Sequence, residues 1–249
     1  MISISLGWGV QSFTMSAMVA LGDLPSIDVA IHADTSHESK LTYEFAKRWT
    51  AWLEERGVKV VTVKNIQPLH ELVSLKTDIP AYTYNGQSNG MLKRQCTGKW
   101  KIVPMRRWLQ SHRNGEPIEQ WIGISLDEFQ RMKPSDVKYI THRWPLIENK
   151  MNRHDCELYL LAHGLEVPPR SACTFCPFHN TAEWRRIKKT PEDWQEAVTV
   201  DRDIRKARPP YDLFVHPSRK PLEDVDLRTE QERGQLSLWD EECSGLCGI

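Results

Sequence analysis

The chain opens on an alternation of apolar and small polar residues, Ile2-Ser3-Ile4-Ser5-Leu6, that runs into Gly7-Trp8-Gly9. Alternation with period two predicts a strand, and the glycines predict a tight turn at its end. Residues Gln11 to Leu21 suit a short helix that Gly22-Asp23-Leu24-Pro25 stops. A second, apolar strand is predicted over Ile27 to Ala33, ending in the polar run Asp34-Thr35-Ser36-His37-Glu38. Lys40 to Arg56 places Tyr43, Ala46, Trp49 and Trp52-Leu53 near one helical face, and Lys59 to Val63 is a short β-branched strand. Strand, helix, strand, helix, strand is the pattern of a doubly wound α/β fold with a mostly parallel sheet.

The pattern lapses between Lys76 and Gln95 into Gly, Asn, Ser, Thr and Tyr. A stretch of that length without periodicity predicts a lid or binding loop. Helical character returns over Gly98 to Gln110, and Gln120 to Ile124 reads as another strand. Asn152 to His163 predicts an amphipathic helix with Asn152 as its cap and Gly164 as its stop. Helices are expected near Thr181 to Lys189 and Pro191 to Lys206, and an irregular tail or wrapping segment after Arg208-Pro209-Pro210. The predicted organisation is an α/β nucleotide-binding domain over residues 1–165 and a small helical, cysteine-containing extension over residues 166–249.

Composition narrows the picture. Hydrophobic residues make up 40% and charged residues 27% of the 249, and the formal net charge is zero. No global field therefore draws the chain to nucleic acid or membrane, and any such contact needs a local patch. No stretch reaches the length of a membrane span, and the first residues lack the basic and apolar regions of a signal peptide. A cytoplasmic protein without a membrane partner is expected. In that compartment the six cysteines read as metal ligands, redox groups or buried thiols rather than disulfides.

Four constellations carry candidate chemistry. Ser5-Leu6-Gly7-Trp8-Gly9-Val10-Gln11-Ser12 stands where a strand hands over to a helix, so backbone N–H groups and the helix dipole favour an anion there. The Lys-Ser/Thr ending of a Walker loop is absent, and a plain βα turn would use the same glycines. Asp34, Thr35 and Glu38 end the second strand, where they suit a ribose, a base or a metal, or simply cap the next helix. Arg94-Gln95-Cys96-Thr97-Gly98-Lys99-Trp100-Lys101, followed by Pro104 and Arg106-Arg107, suits a phosphate or sulfate; a solvated basic face has the same composition. Cys173-Thr174-Phe175-Cys176 is half a zinc site, part of an iron–sulfur site, or a redox dithiol. If Cys96 and Cys156 converge on it, four thiolates result, fit for a 4Fe–4S cluster or a structural Zn²⁺; Cys156 otherwise reads as a buried thiol.

In this order the blocks resemble the phosphoadenosine phosphosulfate (PAPS) reductase-like branch of the PP-loop ATP pyrophosphatases, within the adenine nucleotide alpha hydrolase-like (HUP) superfamily. The family's Ser-Gly-Gly-x-Asp-Ser is matched by Gly7-Trp8-Gly9-Val10-Gln11-Ser12, with departures at Gly7, Trp8 and Gln11. Ala33-Asp34-Thr35 with Glu38 is similar to its Asp-Thr-Gly-x-Glu block, Ser36 replacing the glycine. Arg94-Gln95-Cys96-Thr97 with Lys101 resembles its second anion-binding block, and Gly123-Ile124 through Glu128 to Arg131 its Gly-Ile-x-x-x-Glu-x-x-Arg stretch. Tyr139 to Glu148, followed by the Cys156 helix and then by Arg170 to Phe178 around the cysteine pair, completes the match.

The resemblance implies cleavage of ATP to AMP and pyrophosphate with Mg²⁺. The nucleotide would lie on Ser5, Gly7, Gly9, Val10, Gln11, Ser12, Asp34, Thr35, Glu38, Arg94, Gly123 and Arg131, with Ser12, Lys99 and Lys101 in catalytic roles. It also implies sulfur incorporation into an acceptor, DNA or RNA, assisted by a cluster on Cys96, Cys156, Cys173 and Cys176, with a cysteine desulfurase or other sulfur donor protein as partner. The ending Glu241-Glu242-Cys243-Ser244-Gly245-Leu246-Cys247 is similar to the Glu-Cys-Gly tail of the thioredoxin-linked PAPS and adenylyl-sulfate reductases, though Ser244 interrupts that order; Cys243 would be its nucleophile. A nucleotide-binding subunit of a modification complex that does not cleave its ligand is the non-enzymatic alternative.

Overall fold

In the computed structural model, which describes residues 1–65, 78–229 and 231–233, the opening alternation forms β1 (Ile2–Ser5) and the helix after the turn is α1 (Val10–Leu21). Gly22 ends α1 in the left-handed conformation, its N–H returning to the carbonyls of Met18 and Val19. Then follow β2 (Val29–Asp34), α2 (Lys40–Glu54) and β3 (Val60–Lys64). The second half of the basic block is a π-helical turn, Thr97–Ile102, that runs into α3 (Val103–His112). β6 (Ile118–Ile122) and β7 (Ile140–Arg143) complete a five-stranded sheet in the order β3-β2-β1-β6-β7, every pairing parallel. The doubly wound α/β reading holds, and β7 is a strand that the hydrophobic pattern left unmarked.

Burial explains why these segments hold these forms. β2 is buried along its whole length, as a central parallel strand with both faces covered must be. One face packs Ile4, Ala30 and Trp121 against Phe13, Phe45, Leu53 and Leu160, which come from α1, α2 and α5 (Arg153–Ala162). The other packs Val29, Ile31, Ile118 and Ile140 against Met105 and Leu109 of α3. Asn152 caps α5 as expected, in a reciprocal capping box with Asp155. A single turn, α4 (Pro145–Glu148), precedes it.

The stretch from 78 to 95 is not the structureless loop that its composition suggests. It contains a hairpin of β4 (Tyr82–Tyr84) and β5 (Asn89–Met91). The segment after Pro210 is not a free tail either, because β8 (Asp212–Phe214) pairs antiparallel with β4, Tyr82 opposite Phe214. Ile79, Ala81 and Trp100 share a core with Phe175, Trp184, Leu213 and Leu222. The cysteine-containing segment, with α6 (Thr181–Lys188) and α7 (Pro191–Ile204), is thereby built onto the middle of the chain. Among the described residues no helix is long and apolar enough to cross a membrane.

Trp8 occupies the turn after β1 at φ 56°, a left-handed conformation that disfavours every residue with a Cβ. Its ring is 2% exposed and packs against Phe13, His32 and Phe45. Core burial of the indole offsets about 1–3 kcal/mol of backbone strain. Trp8→Ala is therefore expected to lower the free energy of unfolding by about 3–5 kcal/mol. The urea midpoint checks this at unchanged slope, and a loss below about 1 kcal/mol would refute the packing role.

Candidate functional site

Chain direction reverses at β1: the chain steps outward through β2 to β3, then returns to the other side of β1 as β6. The carboxyl ends of β1 and β6 thus form the switch point at which open parallel sheets hold ligands. Gly7 to Ser12 lie there. Gly9 begins α1 without a side-chain cap, and the first turn contains no acidic residue, so its dipole is uncompensated. α2, α5 and α6, by contrast, are capped by Ser39, Asn152 and Asn180. The Ser12 hydroxyl accepts from the Gly7 N–H at 3.0 Å and donates to the Gly9 carbonyl at 3.2 Å, bracing the turn.

Gly123 ends β6 directly beneath this turn. A Cβ there would stand 2.9 Å from the Ser12 backbone nitrogen, closer than any side chain permits. The Gln11 amide donates to Ser125 at 3.4 Å and to Glu128 at 3.3 Å, and Glu128 holds Arg131 at 2.5 Å. The Gly123–Arg131 block is thus joined to the loop, with Gln11 as the link.

At the end of β2, Asp34 accepts from the Ser36 N–H at 2.7 Å and Tyr43 at 2.8 Å, and pairs with Lys64 at 2.8 Å. Burial pushes its carboxyl up, but Lys64 and those two donors outweigh it and hold the group below its ordinary value. Ser36 sits at φ 60°, the conformation for which the resembling block uses glycine. Glu38, its side chain wholly buried, accepts from Lys101 at 3.0 Å and Ser171 at 3.1 Å. Burial pulls Lys101 down, yet Glu38 keeps its ammonium above the ordinary value, so it stays charged.

The cysteine segment lies across this loop. Thr174 N–H donates to the His37 carbonyl at 2.8 Å, Thr35 Oγ1 meets Cys173 Sγ at 3.3 Å, and Glu38 and Cys173 form an isolated antiparallel bridge. Cys96 and Cys173 border the same core, and the charges of Arg94 and Arg170 act on Cys176 against the effect of its burial. Burial pushes both thiols of the pair up, with Glu38 adding to the effect at Cys173. Cys156 does not join them. It packs inside the other core, against α1, and burial pushes its thiol up to about 12.

Among the described residues no three His, Cys, Asp or Glu side chains converge as metal ligands. The expected set of four thiolates is thus not assembled, because Cys156 faces the layer between β1 and α5 whereas the cysteine pair faces the β2 loop. Cys243 and Cys247 lie outside the described residues. The two lysines expected in catalytic roles also part: Lys101 lines the cavity beside the loop, whereas Lys99 turns away to Asp78 at 2.6 Å. Arg94 is exposed, its guanidinium 5.5 Å from the Phe178 ring.

Beside the loop, on the face of the sheet that carries α3, is a cavity of about 710 Å³. Ser5, Gln120, Ile122 and His142 form its floor, Thr97, Lys101, Met105 and Arg106 one wall, and Gln130, Arg131, Lys133 and Trp144 the other. It exists because the β6-to-β7 connection is a 3₁₀ turn, Leu126–Arg131, and a coil, with no helix to cover this end of the sheet. Lys101, Arg106, Arg131 and Lys133 line it with no carboxylate among the lining residues. The first three pair with Glu38, Asp136 and Glu128, which leaves Lys133 as the cation without an ion pair among the described residues for an anionic ligand. Gln120 carried no motif, and His142 and Trp144 fall in the Tyr139–Glu148 stretch of the resemblance without a role expected of either. Only strand pairing places them here.

The fold and this site define a mostly parallel α/β protein with a ligand cleft at its switch point, the architecture that the PAPS reductase-like resemblance implies. No protein-family model matches the chain, and no curated protein matches it. Among solved structures, phosphoadenylyl-sulfate (PAPS) reductase from Candida auris, in a phosphate complex, matches with a TM-score of 0.45 and 13% sequence identity, over 67% of this chain and 74% of that one.

His179 supplies a pH test of the cysteine segment. Its Nε2 donates to the Cys173 carbonyl at 2.8 Å, its Nδ1 is buried without a partner, and burial lowers its pKa from 6.5 to about 4. The unfolded chain takes up a proton near pH 6.5 that the folded chain refuses until about 4. Stability from this group is therefore complete above the upper value and is lost as pH falls through the window, by on the order of 3 kcal/mol. Urea unfolding at neutral and acidic pH should show this loss in the wild type and a smaller one in His179→Gln. Equal slopes would refute it.

Proposed function

We propose that this chain binds ATP with its phosphates on the Gly7–Ser12 turn and splits it into AMP and pyrophosphate, activating an acceptor for sulfur incorporation. One observation carries the reading: the uncapped start of α1 opens at the switch point, beside a cavity lined by four cations and no carboxylate. An acceptor oxygen attacks the α-phosphorus, the bond to the bridging oxygen of pyrophosphate breaks, and the acceptor is left adenylylated. A sulfur nucleophile then displaces AMP. The turn's N–H groups and Lys101 stabilise the charge that pyrophosphate carries away. Lys101 is suited to this because Glu38 and Ser171 fix the far end of its hydrogen-bond chain.

Mg²⁺ would arrive on the triphosphate and offset its charge. The carboxylates around the turn are already committed: Glu128 to Gln11 and Arg131, Asp34 to Lys64, and Glu38 to Lys101. The acceptor in this proposal is nucleic acid, DNA or RNA, with a sulfur donor protein of the cysteine desulfurase kind. Lys133 at the cavity wall, with no ion-pair partner among the described residues, is the better candidate for a phosphate backbone. The basic run of α6 is internally engaged: Arg185 with Glu232, Arg186 with Glu183, and Lys188 over Trp194.

Anaerobic protein incubated with Mg²⁺ and ATP is expected to release AMP and pyrophosphate. Ser12→Ala should lower kcat by about ten- to a hundredfold, because the turn loses the brace that positions its N–H groups. Sulfite released from PAPS, in place of AMP from ATP, would overturn the proposal and move the chemistry to Cys243 or Cys247.

A further inference from the structure

The floor of the cavity crosses three strands in register. Ser3 of β1 stands opposite Gln120 of β6, and Gln120 opposite His142 of β7. Neighbouring positions on this face are Val29, Ile31, Ile118 and Ile140, the apolar filling expected of central parallel strands. Gln120 breaks that filling. It is 5% exposed, and its amide has no hydrogen-bond partner among the described residues. The Ser3 hydroxyl is likewise buried and unpartnered.

Leaving such a group unsatisfied costs folding free energy that a leucine would not. Yet Gln120 faces the cavity rather than packed side chains. Around it stand the surfaces that a flat heteroaromatic ring needs. Met105, Ile122 and Ile124 are apolar, Trp144 offers an aromatic face, and four cations stand along the walls for attached phosphate. His142 Nδ1 lies 2.9 Å from the Lys133 carbonyl and must donate to it, so the neutral ring keeps Nε2 as a free acceptor.

We infer that Gln120 is a specificity-determining residue that reads a nucleobase in this cavity, its amide meeting a base edge where a donor stands beside an acceptor. This deepens the nucleotide reading, on which it rests. The base belongs either to the nucleotide whose phosphates lie on the turn or to the acceptor. Both sources present the same edge to the same amide.

The test is calorimetric titration of the full chain with pyrophosphate, ATP, and adenosine, guanosine, cytidine and uridine, in wild type and Gln120→Leu, with the melting temperature of each ligand-free protein. Leucine keeps the volume and removes the amide, so Gln120→Leu should melt at or above the wild-type temperature. It should also bind at least one base-bearing ligand about ten- to a hundredfold more weakly, the worth of one bidentate base contact. Weakening with ATP but with no free nucleoside assigns the base to the turn's nucleotide. Weakening with ATP and adenosine together makes the same assignment, whereas weakening with guanosine, cytidine or uridine but not with ATP assigns the base to the acceptor. Unchanged binding of every ligand, a wild type that binds no base-bearing ligand, or a melting temperature lowered by several degrees would each overturn the inference. Pyrophosphate reports the turn separately: its failure to bind wild type refutes the phosphate reading, while the nucleosides still interrogate Gln120.

Discussion

A carboxylate without access to solvent joins three distant parts of this chain. Glu38, in the loop after β2, accepts from Lys101 of the π-helical turn and from Ser171 of the cysteine segment. An isolated buried charge is prohibitively costly, so the loop can take this form only while both partners are in place. That condition brings the cysteine segment against the β2 loop, and Ser171 within 3.9 Å of where a Cβ on Gly9 would stand. It also directs Lys101 along the cavity wall. The π-helical winding at Thr97–Ile102 belongs to the same arrangement, since an irregular helical turn of this kind characteristically re-aims side chains at a site.

The two places where the chain departs from the glycine pattern of the proteins it resembles share one backbone solution. Trp8 and Ser36 both sit at positive φ, so each turn keeps the path that glycine would give it. The means differ. Trp8 offsets the strain by filling the core beneath the turn, whereas Ser36 is held by its N–H bond to Asp34. The bulky side chain at position 8 therefore lies under the loop, not over it. Gln11, standing where an acidic residue is usual, ties the turn to Ser125 and Glu128 without adding negative charge at the start of α1.

The cysteines separate by layer. Cys156 is a core thiol, held protonated by burial, and Cys173 is also held neutral, beside Glu38. A thiolate at Cys173 needs a compensating charge to approach it. Lys101 is the cation in place for that, and it is the residue that ties the cysteine segment to the cavity.

Much of this was legible along the chain, because it depends on near neighbours. Alternation gave β1, an apolar run β2 and a β-branched run β3, glycine and hydroxyl spacing gave the turn before α1, and Asn152 announced α5. Gly123 was legible as part of a motif, although its reason, the approach of Ser12, was not. Residues 78 to 95 looked irregular because their partner strand stands more than a hundred positions away at Asp212–Phe214. Gln120 looked like one polar residue in a strand until pairing set it opposite Ser3 and His142 above an uncovered face. The sequence by itself determined β1 to β3, the helices between them and the glycine turn before α1, since these are set by contacts within a few residues. Only the tertiary structure decided which cysteines meet, which lysine enters the cavity and which strand residue forms its floor, because burial and partnership depend on segments that the chain keeps far apart.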